Sequence, residues 1–465
     1  MNLSQALRLT PSQPPQNPPQ EFRVITKSSL ADLGEVPARA VGVAFTGSGG
    51  KSTALFQLAR QLPPPIMVTA TTHLHIDQIK LADSHWIGEK PEDLANLEKN
   101  LHGVMLVTGP VNEDRTTGSN NNTISWLRAV CKHHSVPLLI EADGSRQRPL
   151  KAPAEHEPAI PDFVETVVVV AGLSGLGKPL TEASVHRPEI FARISGLAIG
   201  ETITPEALIR LLTHPKGGLK NIPAQARRVV LLNQADTPEL QAQAKALAET
   251  LLTTYQSVVI AALGQSRIHA VYESVAGIIL AAGEAKRFGQ PKQLLDYHGQ
   301  PFVRSVAQAA LTAGLSPVVV VTGANAEAVE AAIRDLPITI TRNPNWQNGQ
   351  SSSIRTGLHV LPTQTGAAVF LLADQPQVTP MVLQALTEEH ARTLAPIVAP
   401  LVADQRANPV LFDRVTFPDL MALTGDVGGR AIFGKYQVTY LPWHDESLML
   451  DVDTPEDLET LRNRE

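Results

Sequence analysis

G-I-I-L-A-A-G-E-A-K-R-F-G-Q-P-K-Q-L-L, residues 277–295, opens on an apolar run from Gly277 to Leu280 that reads as a buried strand. Ala281, Ala282 and Gly283 come next with almost no side-chain bulk, and the loop after them carries Lys286, Arg287 and Lys292. Small residues let a backbone approach a ligand closely, and their N–H groups can face phosphate oxygens. Arg and Lys then set positive charge against a triphosphate. A strand feeding such a loop predicts a nucleotide site. The bland alternative is an ordinary strand-to-helix turn with solvated basic residues.

The string L-A-A-G-x-x-x-R-F-G-x-P-K-Q-L-L resembles the opening signature of the MobA-like nucleotidyltransferases, and within them the molybdenum cofactor cytidylyltransferases. Relatives that transfer guanylyl groups usually read L-A-G-G, so Ala282 favours cytidine. Ala285 departs from the family's usual Ser and removes one loop hydrogen bond.

Around this stretch, strands are expected at 277–280, 318–322, 338–341, 367–372 and 397–402, and helices near 302–313, 326–335, 352–361 and 380–393. That alternation predicts an α/β, Rossmann-like unit over 275–465, with a mostly parallel sheet covered on both faces. The strand 367–372 runs into A-D-Q-P, and Asp374 at its end is placed to bind Mg²⁺. Asp451 and Asp453, two apart, face one side if extended, whereas Thr454 and Pro455 suit a helix start. The segment 343–358, N-P-N-W-Q-N-G-Q-S-S-S-I-R-T-G-L, offers donors at a helix N-terminus, an anion site. The resemblance implies metal ligation by Asp374 with Asp451 or Asp453, and catalysis by Arg287 and Lys292 beside Asp374. It implies nucleotide contacts at Leu280, Ala281, Ala282, Gly283, Thr322, Asn343 and Ser352. Arg355 and the loops R-A-N-P-V-L-F and G-D-V-G-G-R, with Asn408, Asp426 and Arg430, would face the pterin phosphate.

The chain has 465 residues, and at about 150 residues per domain it divides into two or three. Hydrophobic residues make up 43% and aromatics only 4%, so aliphatic side chains must fill the cores. A net charge of −6 argues against nucleic-acid or polybasic membrane surfaces. One cysteine, Cys131, fits a reducing compartment, and neither a signal pattern nor a membrane-length apolar run is present. A cytoplasmic location is expected.

Residues 1–21, with five prolines by residue 20, are expected to be a flexible tail. In 22–265, strands are expected at 41–45, 66–69, 103–108, 136–140, 166–170 and 229–232, forming a parallel sheet of the P-loop NTPase kind. The first runs into T-G-S-G-G-K-S-T. Backbone N–H groups of Gly47, Gly49 and Gly50 would surround a phosphate. Lys51 would reach the outer phosphates, and Ser52 or Thr53 would hold Mg²⁺. The loop is shorter than G-x-x-x-x-G-K-[ST], since Phe45 stands six before Lys51. Glu141 and Asp143 come after a buried strand, where a Walker B acid for Mg²⁺ belongs. The proline-bound, charged segment 145–158 reads as a rigid loop in contact with substrate. His73, His75 and His85 have no tight metal spacing, so zinc is the weaker reading. N-Q-A-D at 233–236 is similar to a guanine-reading motif, with Gln234 in place of Lys; a turn that starts a helix is the alternative.

G-S-G-G-K-S-T, T-T-H, E-A-D-G-S-R-x-R-P-L-K-A-P-A-E-H-E-P, V-H-R-P-E and N-Q-A-D together resemble the YqeC-like family, over about 40–265. That family is linked to maturation of molybdenum hydroxylases, including selenium-dependent ones. The combined resemblance implies CMP transfer from CTP to molybdopterin and an apo molybdenum hydroxylase as client. ATP and GTP are both open for the first half. Two rivals stand: a cytidylyltransferase for another phosphorylated acceptor, and a cofactor carrier or insertion chaperone.

Overall fold

The computed structural model describes residues 1–10, 41–284, 291–450, 452 and 454–462. It divides the chain into two compact units, with the boundary between Tyr272 and Glu273.

In the first unit nine strands form one sheet: β1 (Gly42–Gly47), β2 (Ile66–Ala70), β3 (Ser84–Ile87), β4 (Val104–Thr108), β5 (Leu138–Glu141), β6 (Thr166–Gly172), β7 (Arg227–Asn233), β8 (Ser257–Ala262) and β9 (Arg267–Glu273). Their order is β9-β8-β7-β6-β1-β5-β2-β4-β3. β1 lies at the centre, parallel to β5 (Phe45 opposite Glu141) and to β6 (Thr46 opposite Val169). Continuous aliphatic runs suit this place, because a central parallel strand is covered on both faces. Val43, Ala44 and Phe45 are fully buried.

The unit extends past the expected end at residue 265. β9 reads R-I-H-A-V-Y-E, and this polar alternation belongs to an edge strand that a search for aliphatic runs passes over. The first ten residues correct the expectation of a tail. Asn2 caps a helical turn, Leu3–Ala6, and Leu3, Ala6 and Leu7 are at most 1% exposed. Ser4 donates its backbone N–H to Gln61 Oε1 at 3.0 Å, and Arg227 Nη1 donates to the Leu7 carbonyl at 2.8 Å. Burial of three apolar side chains on one helical face seats these residues, although prolines and glutamines dominate the composition of 11–20. The prolines from Pro11 onward lie outside the described residues.

The second unit has a sheet of β10 (Val275–Ala281), β11 (Val318–Thr322), β12 (Thr339–Arg342), β13 (Ala367–Leu372), β14 (Ile397–Val402), β15 (Gln405–Arg406), β16 (Val410–Asp413) and β17 (Val438–Pro442). The order is β12-β11-β10-β13-β16-β14-β15, with β17 pairing β14. The half around β10 is parallel, while β16 runs antiparallel to both β13 and β14. Ile279, Val320, Val369 and Leu371 fill the core on one face, and Ile278, Val319, Val321 and Phe370 fill it on the other. Both units are therefore α/β. Among the described residues no helix is long and apolar enough to cross a membrane.

Candidate functional site

In the second unit β10 and β13 are neighbours with Leu280 opposite Leu372, so both chains leave the sheet at the same end. The Ala373 N–H donates to the Leu280 carbonyl at 3.2 Å and ties the two exits together. They open on a cleft of about 720 Å³ whose wall includes Leu280, Ala282, Gly283 and Asp374. Gly283 and Asp374, from two separate strands, thus share one wall. Ligands bind at such carboxyl ends of parallel strands. Glu284 and Asp426 add carboxylates to the wall.

The loop 343–350 closes the far side, and its hydrogen bonds sort the expected contacts. Asn343 is 2% exposed; its Nδ2 donates to Ser352 Oγ at 2.7 Å and to Ser353 Oγ at 3.1 Å. Ser352 Oγ donates to the carbonyls of Gly349 and Asn345 at 2.8 and 3.0 Å. Thr322 is fully buried and donates to Glu330 Oε1. The resemblance implies that these three contact the nucleotide. Instead they stand behind the wall and hold it in shape, while Ser353, Gly349 and Trp346 line it. The anion site expected at the helix Gln350–His359 is also modified, because its first N–H donates to Asp426 Oδ1 at 3.1 Å.

Ala281 is buried directly beneath the exit. Arg355 and Asn408 are partly buried and Arg430 is exposed; none of them lines the cleft. Lys292 opens the turn Lys292–Leu294, and it is the next residue, Gln293, that reaches the wall. Arg287, Asp451 and Asp453 lie outside the described residues. Gln293 is a wall residue that sequence reasoning misses. Its Nε2 donates to the Gly283 carbonyl at 3.0 Å, and its buried Oε1 has no partner among the described residues. Its place two after Pro291 in the signature is the available signal.

In the first unit Gly47, Gly49 and Gly50 take φ of 92°, 82° and 122°, winding the loop onto the helix Lys51–Gln61. A Cβ on Gly49 would overlap the Gly172 backbone and sit 2.7 Å from the Pro149 carbonyl oxygen. Gly49→Ala is therefore expected to displace the loop and to cost about 2 kcal/mol or more of the unit's stability, read by urea unfolding.

Lys51 does not project from the loop. Its Nζ donates to the Gly47 carbonyl at 2.7 Å and lies 3.2 Å from Asp143 Oδ1, with the whole residue 3% exposed. Asp143 sits within the loop, accepting from Gly47 N at 3.1 Å and Thr46 Oγ1 at 3.0 Å. Glu141, on β5, accepts from Ser52 Oγ at 2.7 Å. Burial pushes the Glu141 carboxyl above its usual range, against the charge of Lys51. Ser52 with Glu141 is thus the oxygen pair suited to Mg²⁺. Thr53, one residue on, is exposed beside Met1, Leu3 and Phe56, away from the loop, which removes it as a metal ligand.

A buried chain of charge continues from here. Lys151 Nζ bridges Asp143 at 2.8 Å and Glu157 at 2.7 Å, and Arg187 reaches Glu157 at 2.6 Å. Burial works against the Glu157 charge, yet hydrogen bonds from Arg187 and Lys151 bring its carboxyl down to about 2. Asn233 Nδ2 donates to the Gly49 carbonyl at 2.6 Å and its Oδ1 accepts from Leu263 N, so this Asn anchors the loop. Asp236 is exposed, and Thr237 caps the helix Pro238–Leu251. His73, His75 and His85 each bond separately, to the Thr116 carbonyl, Asp77 N and Thr108 Oγ1. Among the described residues, the acid and imidazole trio close enough for a metal is Glu98, His133 and His134, all exposed. Cys131 is buried, which pushes its thiol up to about 12.

Known proteins match the two units separately. The family model for the MobA-like NTP transferase domain matches residues 277–439, and that for YqeC protein matches residues 43–189. The chain is 35% identical over 224 residues to the Escherichia coli (strain K12) protein YqeC, covering 45% of this chain and 82% of that protein. It is 33% identical over 194 residues to nicotine blue oxidoreductase of Paenarthrobacter nicotinovorans, covering 40% of this chain and 94% of that one. Among solved structures, Rv0371c of Mycobacterium tuberculosis is 29% identical, covering 41% of this chain and 97% of that one, with a TM-score of 0.37. This chain belongs to the YqeC family through its first unit and to the MobA-like NTP transferases through its second.

Proposed function

We propose that the second unit transfers CMP from CTP to the terminal phosphate of molybdopterin, releasing pyrophosphate and forming molybdopterin cytosine dinucleotide. The first unit then acts as a nucleoside triphosphate module in delivery of that product to an apo molybdenum hydroxylase. The observation that supports the transfer most is Asp374 on the same cleft wall as Ala282 and Gly283.

In the reaction, an acceptor phosphate oxygen forms a bond to the α-phosphorus of CTP. The bond from that phosphorus to the bridging oxygen breaks, and the electron pair leaves with pyrophosphate. No covalent step falls to the protein, so positioning and charge neutralisation carry the catalysis. Mg²⁺ fits the wall, since Asp374, Glu284 and Asp426 offer hard oxygen donors and the described wall carries no Lys or Arg. When bound, the ion neutralises phosphate charge next to Asp374. The bare backbone at Ala282 and Gly283 admits the nucleotide. The resemblance assigns Arg287 and Lys292 to the departing pyrophosphate, and Lys292, one residue before the wall residue Gln293, would meet it from outside the wall.

The test is incubation of the chain with molybdopterin and each nucleoside triphosphate in turn, measuring pyrophosphate and identifying the product by mass spectrometry. CTP-specific pyrophosphate release with a cytidylylated pterin is expected. Tight cofactor binding without turnover would instead favour the carrier reading. A control offers nicotine blue, the dye in the name of the Paenarthrobacter relative, with a reductant; turnover there, with none on CTP, overturns the proposal.

A further inference from the structure

Beside the phosphate loop of the first unit lies a cleft of about 1090 Å³ that the proposed transfer does not use. It forms where β2 and β5, adjacent and parallel with Ala70 opposite Glu141, run out of the sheet. Thr71, Thr72 and His73 make one lip, and Gly144, Ser145 and Arg146 make the other. Gly144 is next in the chain after Asp143, whose carboxylate takes the Gly47 N–H. The cleft and the loop are therefore two openings at one end of the same sheet.

Charge and wall chemistry define what the cleft accepts. Arg115, Arg128, Arg146 and Arg187 line it, against Glu157 and Asp162. Glu157 is already paired with Lys151 and Arg187, and Arg115 lies 3.8 Å from Asp114. Among the described residues no carboxylate pairs with Arg128 or Arg146. The Arg128 guanidinium lies 4.5 Å over the Phe163 ring, which holds it in place. Thr72 Oγ1 is buried with no hydrogen-bond partner among the described residues. Ile124, Ile160 and Phe163 give the rest of the wall an apolar surface. Two guanidinium groups with no carboxylate partner on a roomy, partly apolar cleft suit a phosphate on an organic body.

We propose that this cleft binds a phosphomonoester carried on an apolar ring system, as a second ligand of the first unit beside its phosphate loop. The site supplies its own reporter. Burial, then the charges of Arg187, Lys151 and Arg146, hold the His186 imidazole down at about 4. A dianion set among those cations raises that value.

Phenyl phosphate is the probe, titrated into the full chain by calorimetry, with inorganic phosphate alongside. The His186 ring is followed by NMR and assigned through His186→Gln. Arg128 and Arg146 are exposed, so the double variant Arg128→Ala/Arg146→Ala keeps the fold, which circular dichroism checks. The expected result is phenyl phosphate affinity lowered on the order of tenfold or more in the double arginine variant. Inorganic phosphate binds more weakly, and the His186 titration moves upward in the ligand's presence. Binding that survives at parent affinity in the arginine variant assigns the anion to another part of the unit and overturns the proposal. So does absence of binding up to about 10 mM. Inorganic phosphate as tight as phenyl phosphate overturns the apolar part of the claim. None of these readouts depends on CTP turnover, so the proposal stands or falls apart from the transfer reaction.

Discussion

Asp374→Asn is expected to lower the rate of pyrophosphate release from CTP and acceptor by a factor on the order of a hundred to a thousand, about 3–4 kcal/mol of transition-state stabilisation. The substitution keeps the shape of a half-buried side chain and removes one negative charge. Because Ala373 is pinned to Leu280 through its backbone, the wall itself should stay in register. The loss then falls on charge neutralisation, not on folding. Two readouts separate these causes. The thermal unfolding midpoint should shift little, and raising the Mg²⁺ or Mn²⁺ concentration should recover part of the rate. A variant with full pyrophosphate release would remove Asp374 from the metal site, and with it the assignment of this cleft as the reaction centre. The corresponding change at Asn343, Asn343→Ala, acts differently. It deletes the amide that holds Ser352 and Ser353, so it should disturb CTP affinity and loop order together.

Lys151→Met should destabilise the first unit by about 3–5 kcal/mol. The ammonium is 1% exposed and stands between Asp143 and Glu157, at 2.8 and 2.7 Å. It also donates to the Gly144 carbonyl at 2.5 Å. Methionine fills nearly the same volume and leaves two buried carboxylates facing each other. Lys51 still lies 3.2 Å from Asp143, and Arg187 still reaches Glu157, which sets the effect toward the lower end of the range. For a unit of this size, about 2–4 °C of midpoint is lost per kcal/mol. Hydrogen exchange read by mass spectrometry should localise the loss of protection to peptides 138–160 and 42–62. If urea midpoints of variant and parent agree within about 0.5 kcal/mol, the buried chain of charge contributes nothing net. A pH arm sharpens the test. Glu157 titrates lower in the folded unit than its ordinary 4.5, so its share of stability is complete above that value and disappears as pH falls toward about 2.

Much of this is legible without coordinates, for a physical reason. Aliphatic runs such as 277–280, 367–372 and 41–45 are covered on both faces in parallel sheets, and few other places in a protein tolerate them. Their carboxyl ends collect small, charged and hydroxyl residues, so local pattern alone puts Ala282, Gly283, Asp374, Gly49 and Lys51 at those strand ends. Which side chain faces the ligand is a different matter. Ser52 and Thr53 are neighbours on one helix, about 100° apart in direction, and only the position of Glu141 on β5 selects Ser52. Asn343 and Ser352 look like donors for a nucleotide, but carbonyls and hydroxyls brought in from the same loop use them up. Lys151 becomes a buried bridge only because β5, and the segments carrying Glu157 and Arg187, converge on it from three places in the chain. The edge strand Arg267–Glu273 and the seated N-terminal turn likewise depend on partners far away in sequence. Local sequence determined the element types and the sheet end where chemistry gathers; competition for hydrogen bonds and burial, which is non-local, decided which residues are left to do it.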